Sequence, residues 1–464
     1  MRRHSGYVAL LGLALLLAGC GDMVTDPGTG GGGGGGTGIC GQSLSGGLQA
    51  AAITPVSTPV ADWSAPHVAG QVLLVGPAGG LSAQGLSALS GVQTLRVDDT
   101  LTLAFTPAGQ DDRAFALRLR AAGVSAQPNF LYAPLAAPND PGYPGKGGVR
   151  VGNTAYDQDY LTRIQAPDAW DAVRSCGKPL TAALTAVLDT GVDDGHPDLA
   201  GRLLPGRTFG NSGGSSAGAP EVSQGDRGHG TSSAGLIGAA TDNGSGLAGL
   251  TWQGRNLLPI KVINEQGNLV GATTVSIRGG LTYAVGQGAK VVNMSLGIKG
   301  NPGDKALDDV LASAASSAVL VAAAGNTSGD GIYYPASNPN VIAVGAVGRA
   351  DSLACYSARP GSASGSRQLD IVAPGGNAGT GTSNCLTSSP YDQLVLATRD
   401  QGGYTLRAGT SEAAPLVSGV AALIRSANPN LSAAQVKNLV LGHTRQVGNL
   451  KFLDAEAAVK AALR

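Results

Sequence analysis

The segment "GTSEAAPLVSGVAALI", residues 409–424, sets Ser411 at the head of an Ala/Val/Leu-rich run. A serine in that place can cap a helix and do nothing more. It can also attack a carbonyl carbon. The chain must then supply an imidazole to take its proton and a carboxylate to orient the imidazole. Donors for the developing oxyanion are needed as well. There are five histidines. His4 lies in a leader-like N-terminus and His67 in an N-terminal module. His196 follows a turn in "GHPDL" and reads as structural, and His443 follows an apparent helix. That leaves His229 in "DRGHGTSSAG", between two glycines at the start of a small-residue helix, with its ring expected to be exposed. A surface histidine without chemistry is the plain alternative for that motif taken alone.

These side chains need elements to hold them. "LTAVLD" (184–189), "NLLPIKVI" (256–263), "AKVVNMSL" (289–296), "AVLVAAAG" (318–325) and "NVIAVGAV" (340–347) are continuous apolar runs bounded by turn residues. Such runs suit parallel strands buried on both faces. Helical stretches such as "TTVSIRGGLTYAVGQG" lie between them. The alternation predicts an α/β fold with a doubly wound, mostly parallel sheet. Ligands bind such sheets at the carboxyl ends of the strands. Asp189 ends one strand, Ser295 lies near the end of another, and Asn326 follows a third.

Four motifs occur in order: "VLDTGVD" (187–193), "GHGT" (228–231), "AAAGN" (322–326) and "GTSEAAP" (409–415). Together they resemble the subtilisin-type serine proteases, the subtilases. The resemblance covers about residues 156–464 and includes "HPDL" (196–199), "YYPAS" (333–337) and "LSAAQVKNLV" (431–440). It implies a subtilisin-like fold with Asp189 as the orienting carboxylate, His229 as general base and Ser411 as nucleophile. Asn326 would donate its side-chain amide to the oxyanion, with the Ser411 backbone N–H as second donor. Ser295, Leu296 and Gly297 match the strand that pairs with the substrate backbone, an extended-peptide mode of recognition. Ser411 would then open a helix as well as attack. The free N–H groups and positive dipole end of that helix suit an oxyanion. Pro415 is expected in an early turn, where a missing N–H costs little. A mere capping serine is better exemplified by Ser432 with Gln435 in "LSAAQ".

Two places depart from the family's pattern. Glu412 stands where methionine is usual. Solvated or hydrogen-bonded it is harmless; facing the site it would oppose the oxyanion and raise the pKa of His229. Ser232 and Ser233 stand where histidine and valine are common. The resemblance implies no cofactor for the chemistry but a structural calcium ion. Asp198, with Asp242 and Asn243 of "TDNGSG", would supply hard oxygen ligands. An ordinary Asp/Asn/Gly turn is the alternative there. "GNSGG" and "GSSAG" (210–218) formally match an esterase nucleophile elbow but lack its strand and helix context.

Upstream, Arg2 and Arg3 precede an apolar run, Val8 to Leu17, that is too short to span a membrane. It ends in "LAGC" at Cys20, which resembles a bacterial lipoprotein signal with Cys20 as the lipidated residue; an ordinary cleaved signal is the alternative. Residues 1–20 therefore read as a lipoprotein-type signal peptide and 21–66 as a flexible linker around "TGGGGGGGTG". Residues 67–140 read as a small α+β module, with strands "GQVLLV" and "LTLAF" and the helix "DRAFALRLRAAG". Residues 156–464 read as the catalytic domain. Subtilases of this kind carry a propeptide that assists folding and then blocks the cleft, and the 67–140 module resembles it. The Pro- and Gly-rich segment 137–153 reads as an exposed connection, and "NDPGY" (139–143) within it resembles the junction into the catalytic domain. Cleavage is expected within about ten residues either side of Asn139.

Net charge is zero and the isoelectric point is near 6.9, which argues against a nucleic-acid partner. With Cys20 set aside, Cys40, Cys176, Cys355 and Cys385 allow three disulfide connectivities. Cys355 with Cys385 is the preferred pair, and free buried thiols are the alternative. The reading is an exported, monomeric endopeptidase acting on protein or peptide substrates through an acyl-enzyme. Its own propeptide would be its intramolecular inhibitor. Cys20 would hold it to the membrane until processing, leaving it in the cell envelope or outside the cell. A catalytically weakened surface binding protein on the same scaffold is the rival. An esterase would share the chemistry but not the "SLG" strand.

Overall fold

Strands that are apolar at every position must be covered on both faces. The computed structural model describes residues 61, 63, 67–76, 82–130, 137–266, 269–361, 367–377 and 394–464. Nearly all of the expected signal and linker, with Cys20, Cys40 and Cys385, lies outside them. The five apolar runs form strands Thr185–Asp189, Leu257–Lys261, Val291–Met294, Val319–Ala323 and Val341–Val347, a few residues shorter than the runs themselves. They sit inside a ten-stranded sheet. Across it run Leu450–Leu453, Ile371–Pro374, Val341–Val347, Val319–Ala323, Val291–Met294, Thr185–Asp189, Leu257–Lys261 and Arg207–Phe209, each parallel to its neighbour. Short antiparallel hairpins, through Thr444–Val447 and Ser215–Ala217, close the two edges. The doubly wound α/β expectation holds.

Burial alternates along the strands as the pleat requires. Val319, Val321 and Ala323 join one core layer, and Leu320 and Ala322 the other. The first layer packs under helices Ala166–Ser175, Thr410–Ala427, Ala433–Gly442 and Ala455–Ala462. Helices Thr274–Gly286 and Lys305–Ala315 cover the second. Thr410–Ala427 is buried almost all round, with Leu416, Val417, Val420, Leu423 and Ile424 fully inaccessible. Each such side chain contributes about 1.5–3 kcal/mol by leaving water. Small residues let this helix approach its neighbours: a Cβ on Gly419 would lie 2.8 Å from Leu250.

The N-terminal residues form their own α+β unit. Its antiparallel sheet runs Thr94–Arg96, Leu101–Phe105, His67–Val75, Ala126–Phe130. Phe115 and Leu119 of helix Asp112–Ala121 pack on Val72, Leu74 and Ala104. That helix starts at an Asp111 side chain accepting from Ala114 N–H, and the chain turns at Gly123 with φ of 79°. Cys176 and Cys355 are each disulfide-bonded, against the free-thiol alternative.

Helix His229–Gly238 crosses strand Val395–Arg399 so closely that a Cβ on Gly235 would lie 2.1 Å from Thr398 Oγ1. Thr398 Oγ1 in turn donates to Thr231 O at 2.7 Å. Gly235→Ala is therefore expected to lower stability by about 1–3 kcal/mol through overpacking. Urea unfolding reads it, and an unchanged midpoint would contradict this contact.

Candidate active site

Asp189 is the last residue of its strand and is fully buried. A buried carboxylate needs partners. Its Oδ1 accepts from Thr190 N–H at 2.8 Å and faces His229 Nδ1 at 2.7 Å, while its Oδ2 accepts from Ser233 Oγ at 3.1 Å. Glycine permits this approach: a Cβ on Gly230 would lie 2.0 Å from Gly191 O. His229 is the first residue of its helix, after Gly228 with φ of 82°. Its ring is not exposed as expected; the residue is 8% accessible. Burial pushes the imidazole pKa down, and Arg407 adds to that. The Asp189 charge and hydrogen bond, with help from Asp226, outweigh both and raise it to about 9.

Ser411 is the second residue of helix Thr410–Ala427. Its hydroxyl donates to Ser295 O at 3.4 Å, and no hydrogen bond joins it to His229. Pro415 is not in a turn where its lost N–H is idle. As the sixth residue of the helix it would have donated to Ser411 O. Ser295 Oγ takes that carbonyl at 2.9 Å. Ser295 Oγ also lies 3.3 Å from Ser233 Oγ and 3.0 Å from Asn293 Nδ2. A polar chain thus runs from Asp189 through Ser233 and Ser295 to Ser411. Asn326 is held by its oxygen, which accepts from Thr410 N–H and Thr410 Oγ1, both at 2.9 Å. That orientation leaves its Nδ2 without a partner among the described residues. Nδ2 and Ser411 N lie 3.3 and 3.5 Å from the position a Cβ on Gly409 would take, so both donors converge on that flank.

Ser295, Leu296 and Gly297 follow strand Val291–Met294 and line a cleft of about 710 Å³ together with His229 and Asp226. Among the described residues, no main-chain hydrogen bond involves Leu296 or Gly297. Their edge is open to another strand. The cleft wall beyond them mixes the apolar side chains of Ile263, Val270, Ile277 and Leu307 with Thr273, Thr274 and Asp304. His196 is structural, as expected: its Nδ1 accepts from Asp198 N–H, and its Nε2 donates to Gly403 O at 2.9 Å.

Glu412 is only 3% exposed, and its Oε1 accepts from Arg407 Nε at 2.8 Å. It is hydrogen-bonded rather than solvated. Arg407, Asp226 and Ser233 are contacts that sequence reasoning missed. Asp226 stands three residues before His229, a spacing that offered a hint. Nothing local ties Arg407 to either carboxylate.

Two of the expected calcium ligands are engaged in the hydrogen bonds of a turn. Asp242 Oδ1 accepts from Asn139 N–H at 3.2 Å, and Asn243 Oδ1 from Ser245 N–H at 2.8 Å. Only Asp198 keeps a buried oxygen without a hydrogen bond, its Oδ1. Asp140, buried and unforeseen, instead accepts from Asp242 and Asn243 N–H at 2.7 and 3.1 Å. Among the described residues no three His, Cys, Asp or Glu side chains form a metal set. Asp242 and Asn243 thus sit in an Asp/Asn turn clamped by a carboxylate, while Asp198 keeps one buried oxygen without a hydrogen bond among the described residues.

The family model described as the subtilase family, peptidase S8, matches residues 181–456. Thermitase of Thermoactinomyces vulgaris is 34% identical over 265 residues, which is 57% of this chain and 80% of thermitase. Subtilisin Savinase of Lederbergia lenta is 35% identical over 65% of this chain and 97% of its own. A solved structure of proteases from Pseudoalteromonas arctica matches with a TM-score of 0.55 and 29% identity, covering 70% of this chain and 99% of that one.

Burial raises the Asp198 pKa from 3.8 to about 6 against the opposing Leu247 N–H. The fold disfavours its ionised form, so this group subtracts stability as pH rises from about 4 to about 6. Asp198→Asn is expected to melt no lower than the parent protein at pH 8, with the two alike near pH 4 and EDTA changing neither. A bound calcium ion would reverse this: EDTA would lower the parent's melting temperature, and the variant would melt lower still.

Proposed function

The chain belongs to the subtilase family of serine-type endopeptidases, and on that premise we propose that it hydrolyses peptide bonds with Ser411 as nucleophile, His229 as general base and Asp189 as the carboxylate that orients the base. The observation that carries this reading is the buried 2.7 Å contact between Asp189 Oδ1 and His229 Nδ1. With Nδ1–H donating a hydrogen bond to the Asp189 carboxylate, the neutral ring keeps Nε2 free to accept. The substrate backbone lies along Ser295, Leu296 and Gly297, the last two of which make no main-chain hydrogen bond among the described residues. The Ser411 hydroxyl turns from Ser295 O to His229 Nε2 and attacks the scissile carbonyl as its proton passes to the ring. Asn326 Nδ2 and Ser411 N–H, both without other partners among the described residues, take the oxyanion. The tetrahedral species collapses, and the imidazolium gives its proton to the leaving amine. Water, deprotonated by the same ring, then releases the acyl group.

The four-stranded sheet that ends in strand Ala126–Phe130 belongs to the propeptide in this reading. Cleavage falls on the N-terminal side of Asn139, because Asn139 and Asp140 clamp the 242–244 turn of the catalytic domain. The protein is exported, and Cys20 carries lipid until that cut frees the enzyme.

Fluorophosphonate labelling tests the assignment. Expected is a modified peptide containing Ser411, with labelling and self-cleavage both lost in Ser411→Ala. Labelling that survives this substitution would overturn it. The pH profile is a second check. Only neutral His229 accepts a proton, and its pKa lies near 9, so kcat/KM is expected to climb up to about pH 9. A plateau already reached at pH 7 would contradict that environment for the ring.

A further inference from the structure

A buried carboxylate one residue from a nucleophile calls for a counter-charge. Glu412 Oε2 lies 2.6 Å from the position of a Cβ on Gly409, on the flank where Asn326 Nδ2 and Ser411 N converge. An uncompensated charge there would repel an oxyanion held by those donors. Arg407, the last residue of strand Gly403–Arg407, meets it. One edge of its guanidinium donates from Nε to Glu412 Oε1 at 2.8 Å. The other donates from Nη2 to Asp226 Oδ1 and Oδ2 at 2.7 and 2.8 Å. Asp226 Oδ2 in turn stands 3.9 Å from His229 Nε2, the nitrogen on the side away from Asp189. The guanidinium side chain is 18% exposed and Asp226 is 60% exposed, so the bridge runs from the interior to the rim of the cleft.

We propose that Arg407 is a positioning residue for hydrolysis: it cancels the buried charge of Glu412 beside the oxyanion donors and holds Asp226 against the outer nitrogen of His229. The proposal rests on the reading of Ser411 as nucleophile. It gives the departure at position 412 a partner and makes the three charges one unit. Arg is suited to the task because its planar fork serves two carboxylates at once, which a lysine point charge does not. The groups that face His229 are Asp189 from its strand, Asp226 from the turn before its helix, and Arg407. Those that face Glu412 are Arg407 and the Tyr356 phenol. Asp226 and Arg407 act on the ring in opposite senses, so removing either carboxylate or cation alone shifts its proton affinity in a known direction.

The test compares the parent protein with Arg407→Met, the double variant Arg407→Met/Glu412→Met, and Asp226→Asn, each expressed as the full chain and processed in trans. Peptide hydrolysis is followed against pH, and fluorophosphonate labelling is measured alongside. Arg407→Met is expected to lower kcat by roughly 10- to 100-fold, less than the roughly 100- to 1000-fold of a lost oxyanion donor because the donors themselves remain. The double variant is expected to return to within about threefold of the parent, because charge and counter-charge leave together. Asp226→Asn is expected to move the acid limb of kcat/KM down by about one pH unit. Should Arg407→Met fail to fold, the double variant decides: regained folding and activity support compensation, and an equally damaged double variant overturns it. Parent-like kcat in Arg407→Met, or an unmoved acid limb in Asp226→Asn, would overturn the proposal while labelling at Ser411 leaves the hydrolase reading intact. Absence of labelling in the parent protein would overturn both.

Discussion

A carboxylate with no access to water has to be satisfied from within, and Asp189 organises its surroundings on that condition. Its three contacts come from three separate places: the next residue's N–H, the ring of His229, and the hydroxyl of Ser233 one turn further along the same helix. To deliver two of them, helix His229–Gly238 must begin against the carboxyl end of strand Thr185–Asp189. Gly230 and Gly191 allow that approach, since a Cβ on Gly230 would collide with Gly191 O. The cost of burying one acid is thus offset by fixing a strand, a helix and an imidazole in one geometry. The same geometry leaves His229 Nε2 turned to the cleft.

The second half of the site depends on a defect in helix Thr410–Ala427. Pro415 denies Ser411 O its intrahelical donor, and Ser295 Oγ supplies another. That bond ties the helix to the end of strand Val291–Met294, and Asn326 ties it to the end of strand Val319–Ala323 through Thr410. The three strand ends and two helix starts are consequently linked by side-chain hydrogen bonds, while Leu416, Val420 and Leu423 anchor the helix in the core below. In the proposed mechanism, rigidity of this kind would keep Asn326 Nδ2 and Ser411 N–H aimed before any substrate arrives.

Two of the three residues that depart from the family's usual pattern, Ser233 and Glu412, are accommodated by polar pairing. Ser233 replaces an apolar side chain and contributes a hydrogen bond to Asp189. Glu412 replaces a thioether and is paired with Arg407. Burying a charge without such a partner would cost several kcal/mol. Ser232, by contrast, has a buried hydroxyl without a partner, and nothing in the structure explains it.

Much of the architecture was legible in the chain. Continuous apolar runs specify doubly covered strands, because an exposed face would need alternating polar residues, and Asp189, Ser295 and Asn326 each stand at or just past the end of one. The order of the four motifs then identified the family. The runs overshot the strands by a few residues because apolar side chains stay buried beyond the last strand residue, as Val262 does after Lys261. Charge pairing was not legible. Arg407 and Asp226 are separated by 181 residues and meet only when strand Gly403–Arg407 is laid beside the turn before His229. The fate of the 242–244 turn was equally hidden, since Asp140 reaches it from about a hundred residues away. Sequence alone determined which residues can do chemistry and on what kind of scaffold, because both follow from local pattern. Tertiary structure decided which carboxylates are compensated and by what, because a charge is felt through space and its partner is chosen by the fold.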